Sequence, residues 1–339
     1  MRALQMLAIT TVTACAVQSE LPVTNPMLPP DVDVSTQAVQ DIRCAGVPDA
    51  GPKTEWRHFK SRLIKDYGES HHRGIDLIAT PDAPAHAITG RITYGGTDKD
   101  LEDENVSLFA CFDQTWRSIG AARTDGDGRF SLSLAGDARL PVGMRDLYVS
   151  VDGDRTGAEF LAYVAPVGTP VIASDMDGTL TASENEYPKA LVTGGDVAVQ
   201  PGAPAALMSA AVRRVSIVYI TARGDRFTQD TRDWLAAKGF PRGPLVMPSS
   251  IITLPGGDTI EFKTNALAKV ADFTLLAGFG NRATDIAAYE NAGLPADRIF
   301  IKLPEFTEEL SADLAANKAF GFMEYEVMRT AELAAVLAN

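Results

Sequence analysis

Two carboxylates one residue apart, Asp175 and Asp177, follow a short apolar run in the segment VIASDMDGTLT. At this spacing one carboxylate can attack a phosphorus atom while the other passes a proton to the leaving oxygen. The same pair offers the hard oxygen ligands that a divalent cation accepts. The alternative is a surface turn, because Asp and Gly are common in turns. The segment thus suggests phosphoryl transfer, and the rest of the chain must support it.

The elements around this segment predict where the two acids lie. Val171 and Ile172 suit a buried parallel strand, and Gly178 allows a turn where the backbone can approach a ligand closely. Open α/β sheets bind ligands in the crevice at the carboxyl ends of their strands. We therefore expect both acids at such a crevice.

Further polar side chains follow other predicted strand ends or helix starts. Thr221 and Arg223 follow a second apolar strand, and a hydroxyl and a guanidinium can both hold phosphate oxygens. Lys263 opens a helical stretch, and its charge would offset two carboxylates and a phosphate. Asn281 and Asp285 follow a third strand and supply oxygen ligands of the kind that magnesium prefers. Polar residues that merely decorate loops would not recur at the same end of a sheet.

The composition limits the class of protein. With 339 residues, of which 45% are hydrophobic and 22% charged, the chain has room for two globular domains and a tail. Its formal net charge of −13 argues against a nucleic-acid partner and against passive adsorption to anionic lipid. A phosphorylated substrate stays compatible with this charge, since a bound metal ion can reverse the local field.

The amino terminus predicts export. Residues 1–15 carry one charge and an apolar segment too short to span a bilayer, as a signal peptide does. The final four, VTAC, resemble the lipobox of bacterial lipoproteins, in which the cysteine is lipidated. We therefore expect lipidation at Cys15 and a periplasmic or cell-surface protein anchored to a membrane. The alternative is a buried amino-terminal strand with an incidental cysteine.

Two regions are expected between the anchor and the acids. Residues 16–54 are rich in proline and lack periodicity, which predicts a flexible tether. Residues 55–166 show short alternating strands separated by turn signals, which predicts a small β-sandwich. Cys44 and Cys111 either form a disulfide, as exported proteins allow, or remain two small apolar residues.

The order of these polar motifs resembles that of the haloacid-dehalogenase superfamily: DxDGT, then Thr, then Lys, then Gly-Asn-xxx-Asp. More narrowly, the run from ITARG to GFGNRATDIAAYENAGLPADRIF resembles the carboxyl-terminal domain shared by lipins and retinal-degeneration-B type phosphatidylinositol-transfer proteins. The segments HRGID and GRITYG resemble the region that precedes this domain in the transfer proteins. For residues 167–339 the resemblance implies a Rossmann-like α/β domain without a large cap, Mg²⁺ as cofactor and aspartyl-phosphate chemistry.

The resemblance also implies roles for individual residues. Asp175 would be the nucleophile and a metal ligand. Asp177 would be the general acid and base, and its backbone carbonyl would bind the metal. Thr221 and Lys263 would bind the phosphoryl group.

The remaining roles concern the metal and the substrate. Asn281 and Asp285 would complete or orient the magnesium shell. The implied substrate-binding positions are Gly178, Thr179, Arg223 and Arg282.

The function that this resemblance implies is a magnesium-dependent phosphatase acting on phosphatidate or a related phospholipid monoester. Lipins dephosphorylate phosphatidate, whereas the transfer-protein relatives use the domain to bind it, and many of them lack the first aspartate. Asp175 is present here, and two unneutralised carboxylates would repel the phosphate of a ligand that is only bound. A phosphatidate-binding module and a phosphatase of a soluble phosphate ester are the alternatives. The oligomeric state is not marked in the sequence.

Overall fold

The computed structural model describes residues 39–193, 195–249 and 256–338. The predictions of a signal peptide, of lipidation at Cys15 and of a tether up to residue 38 therefore lie outside the described residues. Within the described ranges, every helix is too short or too polar to cross a bilayer.

The first half of the described chain is a β-sandwich with one short helix. Its helix is α1 (Phe59–Lys65), and its strands are β1 (Asp41–Ile42), β2 (Arg73–Ile75), β3 (Leu77–Ala79), β4 (Ala85–Arg91), β5 (Thr93–Tyr94), β6 (Lys99–Asp100), β7 (Asn105–Phe112), β8 (Thr115–Arg123), β9 (Arg129–Ala135), β10 (Gly143–Val151) and β11 (Gly157–Val164). One sheet has the order β3-β11-β10-β7-β8, with β1 beside β10, and the second has the order β2-β4-β9.

Alternating apolar residues explain how these two sheets pack. Ile88 of β4 and Phe130 of β9 share one hydrophobic cluster with Leu108 of β7 and Val149 of β10. Because alternate residues of a strand point to opposite faces, one apolar set from each sheet fills the space between them. The predicted sandwich is confirmed.

Residues 39–54 correct the prediction of a flexible tether for their part of the chain. β1 pairs in parallel with β10, and Cys44 forms a disulfide with Cys111 of β7. The indole nitrogen of Trp116 donates a hydrogen bond of 2.9 Å to the carbonyl of Gly46. Backbone pairing and the disulfide thus hold this segment against the sandwich. The disulfide also decides between the two alternatives for the cysteines.

The second half is an α/β domain built on one parallel sheet. Its strands are β12 (Pro170–Ser174), β13 (Ser216–Ile220), β14 (Leu245–Val246), β15 (Thr274–Gly280), β16 (Ile299–Lys302) and β17 (Phe320–Phe322), in the order β14-β13-β12-β15-β16-β17. Its helices are α2 (Glu186–Thr193), α3 (Ala203–Ala211), α4 (Thr228–Ala237), α5 (Gly256–Ala268), α6 (Ala283–Asn291), α7 (Thr307–Ala315), α8 (Tyr325–Met328) and α9 (Ala334–Val336).

The central strand β12 shows why this sheet forms. Ile172 belongs to the hydrophobic cluster on one face of the sheet, and Val171 and Ala173 belong to the cluster on the other face. A strand buried on both faces needs a continuous apolar run, which β12 has. The chain runs outward from β12 to β14 and returns to β15 on the other side, so the strand order reverses between β12 and β15. Ligand crevices lie at such switch points.

The predicted fold class is confirmed: a small β-sandwich precedes a Rossmann-like α/β domain. In the part of the stretch between β12 and β13 that the structure describes, the only helices are α2 and α3. This leaves no room for a large cap domain.

Buried polar contacts join the sandwich to the α/β domain. One oxygen of Asp76, after β2, accepts a hydrogen bond of 2.8 Å from the backbone of Leu161. Its other oxygen accepts one of 2.7 Å from the backbone of Leu245 in β14. Asp76 also forms an ion pair with Arg232 of α4. The two domains therefore share a specific polar interface.

Candidate active site

The turn after β12 places the first two acids at the carboxyl end of the sheet. Gly178 has a positive φ of 70°. A Cβ atom at this position would lie 2.0 Å from the amide nitrogen of Asn281. Only glycine fits, because both the backbone conformation and the space exclude a side chain. The hydroxyl of Thr181 accepts a hydrogen bond of 2.8 Å from the Gly178 backbone and closes the turn.

Asp175 is held by a lysine and a threonine. Nζ of Lys263 donates hydrogen bonds to Oδ1 of Asp175 at 2.6 Å and to Oδ1 of Asp285 at 2.5 Å. The hydroxyl of Thr179 donates to the other oxygen of Asp175 at 3.0 Å. Burial raises the pKa of Asp175 and the neighbouring Lys263 opposes this shift, whereas the two carboxylates keep the pKa of Lys263 above its usual value. The ammonium therefore stays charged between them.

Asp177 is held by Arg223 and Thr221. Nη2 of Arg223 lies 2.5 Å from Oδ1 of Asp177, and its Nε lies 2.8 Å from Oδ2. The hydroxyl of Thr221 donates to the same carboxylate at 3.2 Å. The guanidinium also lies over the ring of Tyr187, 3.7 Å from its centroid. Thr221 and Arg223, predicted to bind phosphoryl group and substrate, are thus engaged with the second acid.

The carboxylate of Asp285 folds back on the start of α6. Its Oδ2 accepts hydrogen bonds of 3.1 Å from the backbone nitrogens of Asn281 and Arg282. With Lys263 on its other oxygen, Asp285 orients the lysine and the turn that carries Asn281. The predicted orienting role has a geometric basis, and Asp285 itself is buried behind the pocket, 1% exposed.

Glu184 is a site residue that sequence reasoning missed. Its carboxylate accepts a hydrogen bond of 3.0 Å from the side-chain amide of Asn281 and lies 3.8 Å from Arg282. Burial raises the pKa of Glu184. The only sequence signal was its place in the polar stretch that follows the DxDGT segment.

Arg282 is also paired with acids. Nη2 lies 3.0 Å from a carboxylate oxygen of Glu309, and the guanidinium lies 3.9 Å from the ring centroid of Phe306. The side chain of Arg282 remains about one-third exposed. Of the two arginines predicted to contact substrate, Arg282 is therefore the more accessible.

These residues surround a pocket of about 290 Å³. Its lining consists of Asp175, Asp177, Glu184, Asn185, Tyr187, Pro188, Ala222, Arg223, Thr259, Lys263, Asn281, Arg282 and Thr284. Four predicted site residues, Gly178, Thr179, Thr221 and Asp285, are buried and do not line it. Thr179 and Thr221 hydrogen-bond to the two acids, and Asp285 accepts a hydrogen bond from Lys263.

The donor atoms at this pocket suit magnesium. Among the described residues, no group of three His, Cys, Asp or Glu side chains has the spacing of a metal site. Magnesium typically needs only one or two carboxylates, because it retains several waters. Asp175 and Asn281 both line the pocket, and their side chains carry hard oxygen donors, a carboxylate and an amide. Five acids, Asp175, Asp177, Glu184, Asp285 and Glu309, are paired with only three cations, Lys263, Arg223 and Arg282, so an added cation would also favour a phosphate ligand.

Two family models match the chain. Residues 172–302 match the model described as PITM 1-3, LNS2 domain. Residues 70–164 match the model described as PITM 1-3, beta-sandwich domain. The first match contains the acids, the lysine and the Asn281 turn, and the second contains the strands of the sandwich from β2 onward.

Among curated proteins, the chain is similar to human "Membrane-associated phosphatidylinositol transfer protein 3", with 28% identity over 261 residues, which is 76% of this chain and 26% of that protein. It is 27% identical to "Protein retinal degeneration B" of Drosophila melanogaster over 278 residues, 79% of this chain and 21% of that protein. It is 26% identical to mouse "Phosphatidate phosphatase LPIN2" over 290 residues, 76% of this chain and 32% of that protein. The chain thus spans about a quarter of the length of its curated transfer-protein relatives.

Among solved structures, the chain is similar to D,D-heptose 1.7-bisphosphate phosphatase from B. bronchiseptica, with a TM-score of 0.36 and 13% identity over 49% of this chain and 99% of that one. It is also similar to a phosphoserine phosphatase, with a TM-score of 0.29 and 13% identity over 48% of this chain and 98% of that one. Residues 70–164 and 172–302 are thus similar, in that order, to a beta-sandwich domain and an LNS2 domain of the PITM 1-3 type.

Proposed function

We propose that the protein is a magnesium-dependent phosphatase that acts through an aspartyl-phosphate on phosphatidate or a related phospholipid monoester. One observation carries the proposal: Asp175 and Asp177 face one pocket, and each is oriented by its own cation, Lys263 or Arg223. Two carboxylates with separate partners can take two different roles in one reaction.

The reaction has two halves. In the first, a carboxylate oxygen of Asp175 attacks phosphorus, the phosphorus–oxygen ester bond breaks, and Asp177 gives a proton to the leaving alcohol oxygen. In the second, Asp177 takes a proton from water, the water oxygen attacks phosphorus, and the bond to Asp175 breaks to release inorganic phosphate. The proton that Asp177 donates is thereby recovered.

The chain's own residues orient these steps. The contacts of Lys263 and Thr179 hold the Asp175 carboxylate in one direction, and Lys263 keeps a positive charge beside the incoming phosphoryl group. Magnesium would be held by Asp175, Asn281 and the backbone carbonyl of Asp177. Bound there, it supplies the charge that stabilises the phosphoryl oxygens.

A lipid substrate and a membrane location belong to this proposal. The lipin relative is named as a phosphatidate phosphatase, and a site without a large cap admits a phosphate at a membrane surface. The proposed signal peptide and lipid anchor at Cys15 would raise the local concentration of such a substrate. The disulfide between Cys44 and Cys111 supports export, because disulfides persist in oxidising compartments.

The test is phosphate release from phosphatidate in mixed micelles, with magnesium and with a chelator, for the wild type and Asp175→Asn. Asp137→Asn, an exposed aspartate on the sandwich, is the matched control. We expect the nucleophile variant to lose roughly a thousandfold or more in turnover and the control to keep wild-type turnover. Full turnover by Asp175→Asn, or without magnesium, would contradict the mechanism.

A phosphatidate-binding module is the second candidate, and one feature of the site favours it. Arg223 pairs with Asp177 and Lys263 pairs with Asp175, so the acid pair repels a bound phosphate less than two unpaired carboxylates would. This weakens the electrostatic objection raised from sequence. Magnesium-dependent binding to the same micelles without phosphate release would select this function. Release from soluble phosphate esters alone would select a soluble substrate.

A further inference from the structure

The sandwich contacts the segment that orients the second acid. Arg73 of β2 is buried, 3% exposed, and its Nε lies 2.9 Å from Oδ1 of Asp225 in the α/β domain. Its Nη2 lies 3.1 Å from the fully buried carboxylate of Asp98, in the turn between β5 and β6. Arg73 therefore joins a sandwich carboxylate to one from the neighbouring domain.

The next residue along the segment makes a second contact of the same kind. Nη1 of Arg226 donates a hydrogen bond of 2.5 Å to the backbone carbonyl of Gly96 and lies 3.3 Å from Oδ1 of Asp98. Asp98 thus bridges one arginine from each domain. Two consecutive residues, Asp225 and Arg226, are held by the sandwich.

The other end of this segment reaches the candidate active site. Thr221 and Arg223 both contact Asp177 through their side chains, and Thr221 also accepts a hydrogen bond of 3.2 Å from the Arg223 backbone. Only one residue separates Arg223 from Asp225. Because one residue spans at most about 3.5 Å of chain, a displacement of Asp225 moves Arg223 as well.

On the basis of the phosphatase function proposed above, we propose that Arg73 and Asp225 are positioning residues for catalysis. Through residues 221–226, the sandwich fixes the guanidinium of Arg223 and hence the carboxylate of Asp177. The sandwich domain then positions the second acid, Asp177, in addition to packing against the α/β domain.

The chemical nature of the contact supports this role. A buried ion pair adds little net stability compared with apolar residues of the same size, but a buried charge must stay beside its counter-charge. An apolar contact would hold the two domains together equally well. The two ion pairs of Arg73, with Asp98 and with Asp225, also fix where the segment lies relative to the sandwich.

The interface offers a matched control. Arg242, in the loop before β14, forms ion pairs with Asp41 and Asp146 of the sandwich, and its side chain is also largely buried. These pairs join the same two domains and lie outside residues 221–226. A general loosening of the interface should thus follow from Arg242→Lys as well as from Arg73→Lys.

The first measurement is hydrogen exchange of the amides in residues 221–226, in the full chain. These include the Asp225 amide, which donates to the Pro248 carbonyl at 3.0 Å. We expect about tenfold faster exchange there in Arg73→Lys and no change in Arg242→Lys. Unchanged exchange in Arg73→Lys, or equal acceleration in both variants, would overturn the proposal. If Arg73→Lys does not fold, Asp225→Asn, which keeps the shape of the side chain, provides the same comparison.

The second measurement is turnover of phosphatidate by the same folded variants. A displaced acid should lower kcat by about tenfold or more and leave KM within about twofold, whereas Arg242→Lys should match the wild type. Wild-type kcat in Arg73→Lys would overturn the catalytic role. If the wild type releases no phosphate, the proposed phosphatase function is contradicted. The hydrogen-exchange experiment needs no turnover, so it would still decide whether the sandwich holds residues 221–226.

Discussion

The guanidinium of Arg223 lies against the carboxylate of Asp177, with Nη2 2.5 Å from Oδ1 and Nε 2.8 Å from Oδ2. Such a two-point contact fixes both the distance and the plane of the carboxylate. The ring of Tyr187 packs against the face of the guanidinium. Arg223 thus orients an acid, rather than extending freely toward a substrate head group.

Arg223→Lys tests this difference. Lysine keeps the charge and cannot make the two-point contact, so we expect kcat to fall by roughly 10- to 100-fold with little change in KM for phosphatidate. Steady-state kinetics in mixed micelles measures both, with the exposed Arg213→Lys as control. A large rise in KM at constant kcat would instead support the head-group contact.

Lys263→Met should destabilise the fold as well as abolish turnover. The ammonium lies between the buried carboxylates of Asp175 and Asp285, and its removal leaves two like charges together. Loss of one partner from a buried ion pair costs about 3–5 kcal/mol of unfolding free energy. Urea unfolding measures this loss.

The double variant Lys263→Met/Asp285→Asn provides the control for this prediction. Removing one of the two carboxylates relieves their repulsion, so part of the unfolding free energy should return while turnover does not. Equal stability of Lys263→Met and the wild type would show that the lysine does not balance the two acids.

The parts of the fold that follow from local pattern could be predicted from sequence. The apolar run of β12 is buried on both faces, and its polar continuation must lie at the carboxyl end of the sheet, so the position of Asp175 and Asp177 follows from the pattern. The alternation in the middle region likewise predicts a sandwich, since its two sheets share one core.

Contacts between distant segments could not be predicted in this way. Glu184 and Asn281 form a hydrogen bond although 97 positions separate them in sequence, and Arg223 and Asp177 do so at a separation of 46. Hydrophobic periodicity does not predict such side-chain directions. The segment around Cys44 was expected to be a tether because it belongs to a proline-rich stretch without periodicity, residues 16–54. Its disulfide and backbone pairing depend on the fold of the sandwich.

The disulfide between Cys44 and Cys111 predicts a stability difference. It closes a loop of 67 residues, for which the chain-entropy model gives roughly 4 kcal/mol of unfolding free energy. The double variant Cys44→Ser/Cys111→Ser should therefore unfold at lower urea concentration than the oxidised wild type. Reduction of the wild type should reproduce the shift. Two free thiols in the native oxidised protein would contradict the assignment.

His72 predicts how stability depends on pH. The side chain is 8% exposed, its Nε2 lies 2.8 Å from the hydroxyl of Thr156, and burial lowers its pKa from 6.5 to about 4. Between these two values the unfolded chain binds a proton that the folded protein does not. The contribution of the neutral histidine is thus complete above about pH 6.5 and is lost as the pH falls toward 4, by roughly 3 kcal/mol in total.

Urea unfolding of the wild type and His72→Gln between pH 4 and 7 isolates this effect, because the carboxylates titrate alike in both proteins. Glutamine can still form a hydrogen bond with Thr156 and does not titrate in this range. The unfolding free energy of the variant should depend less steeply on pH, with the two curves converging as the pH falls. Parallel curves would mean that His72 has the same pKa in the folded and unfolded chains, which its burial against the Tyr94 ring, 4.8 Å away between centroids, argues against.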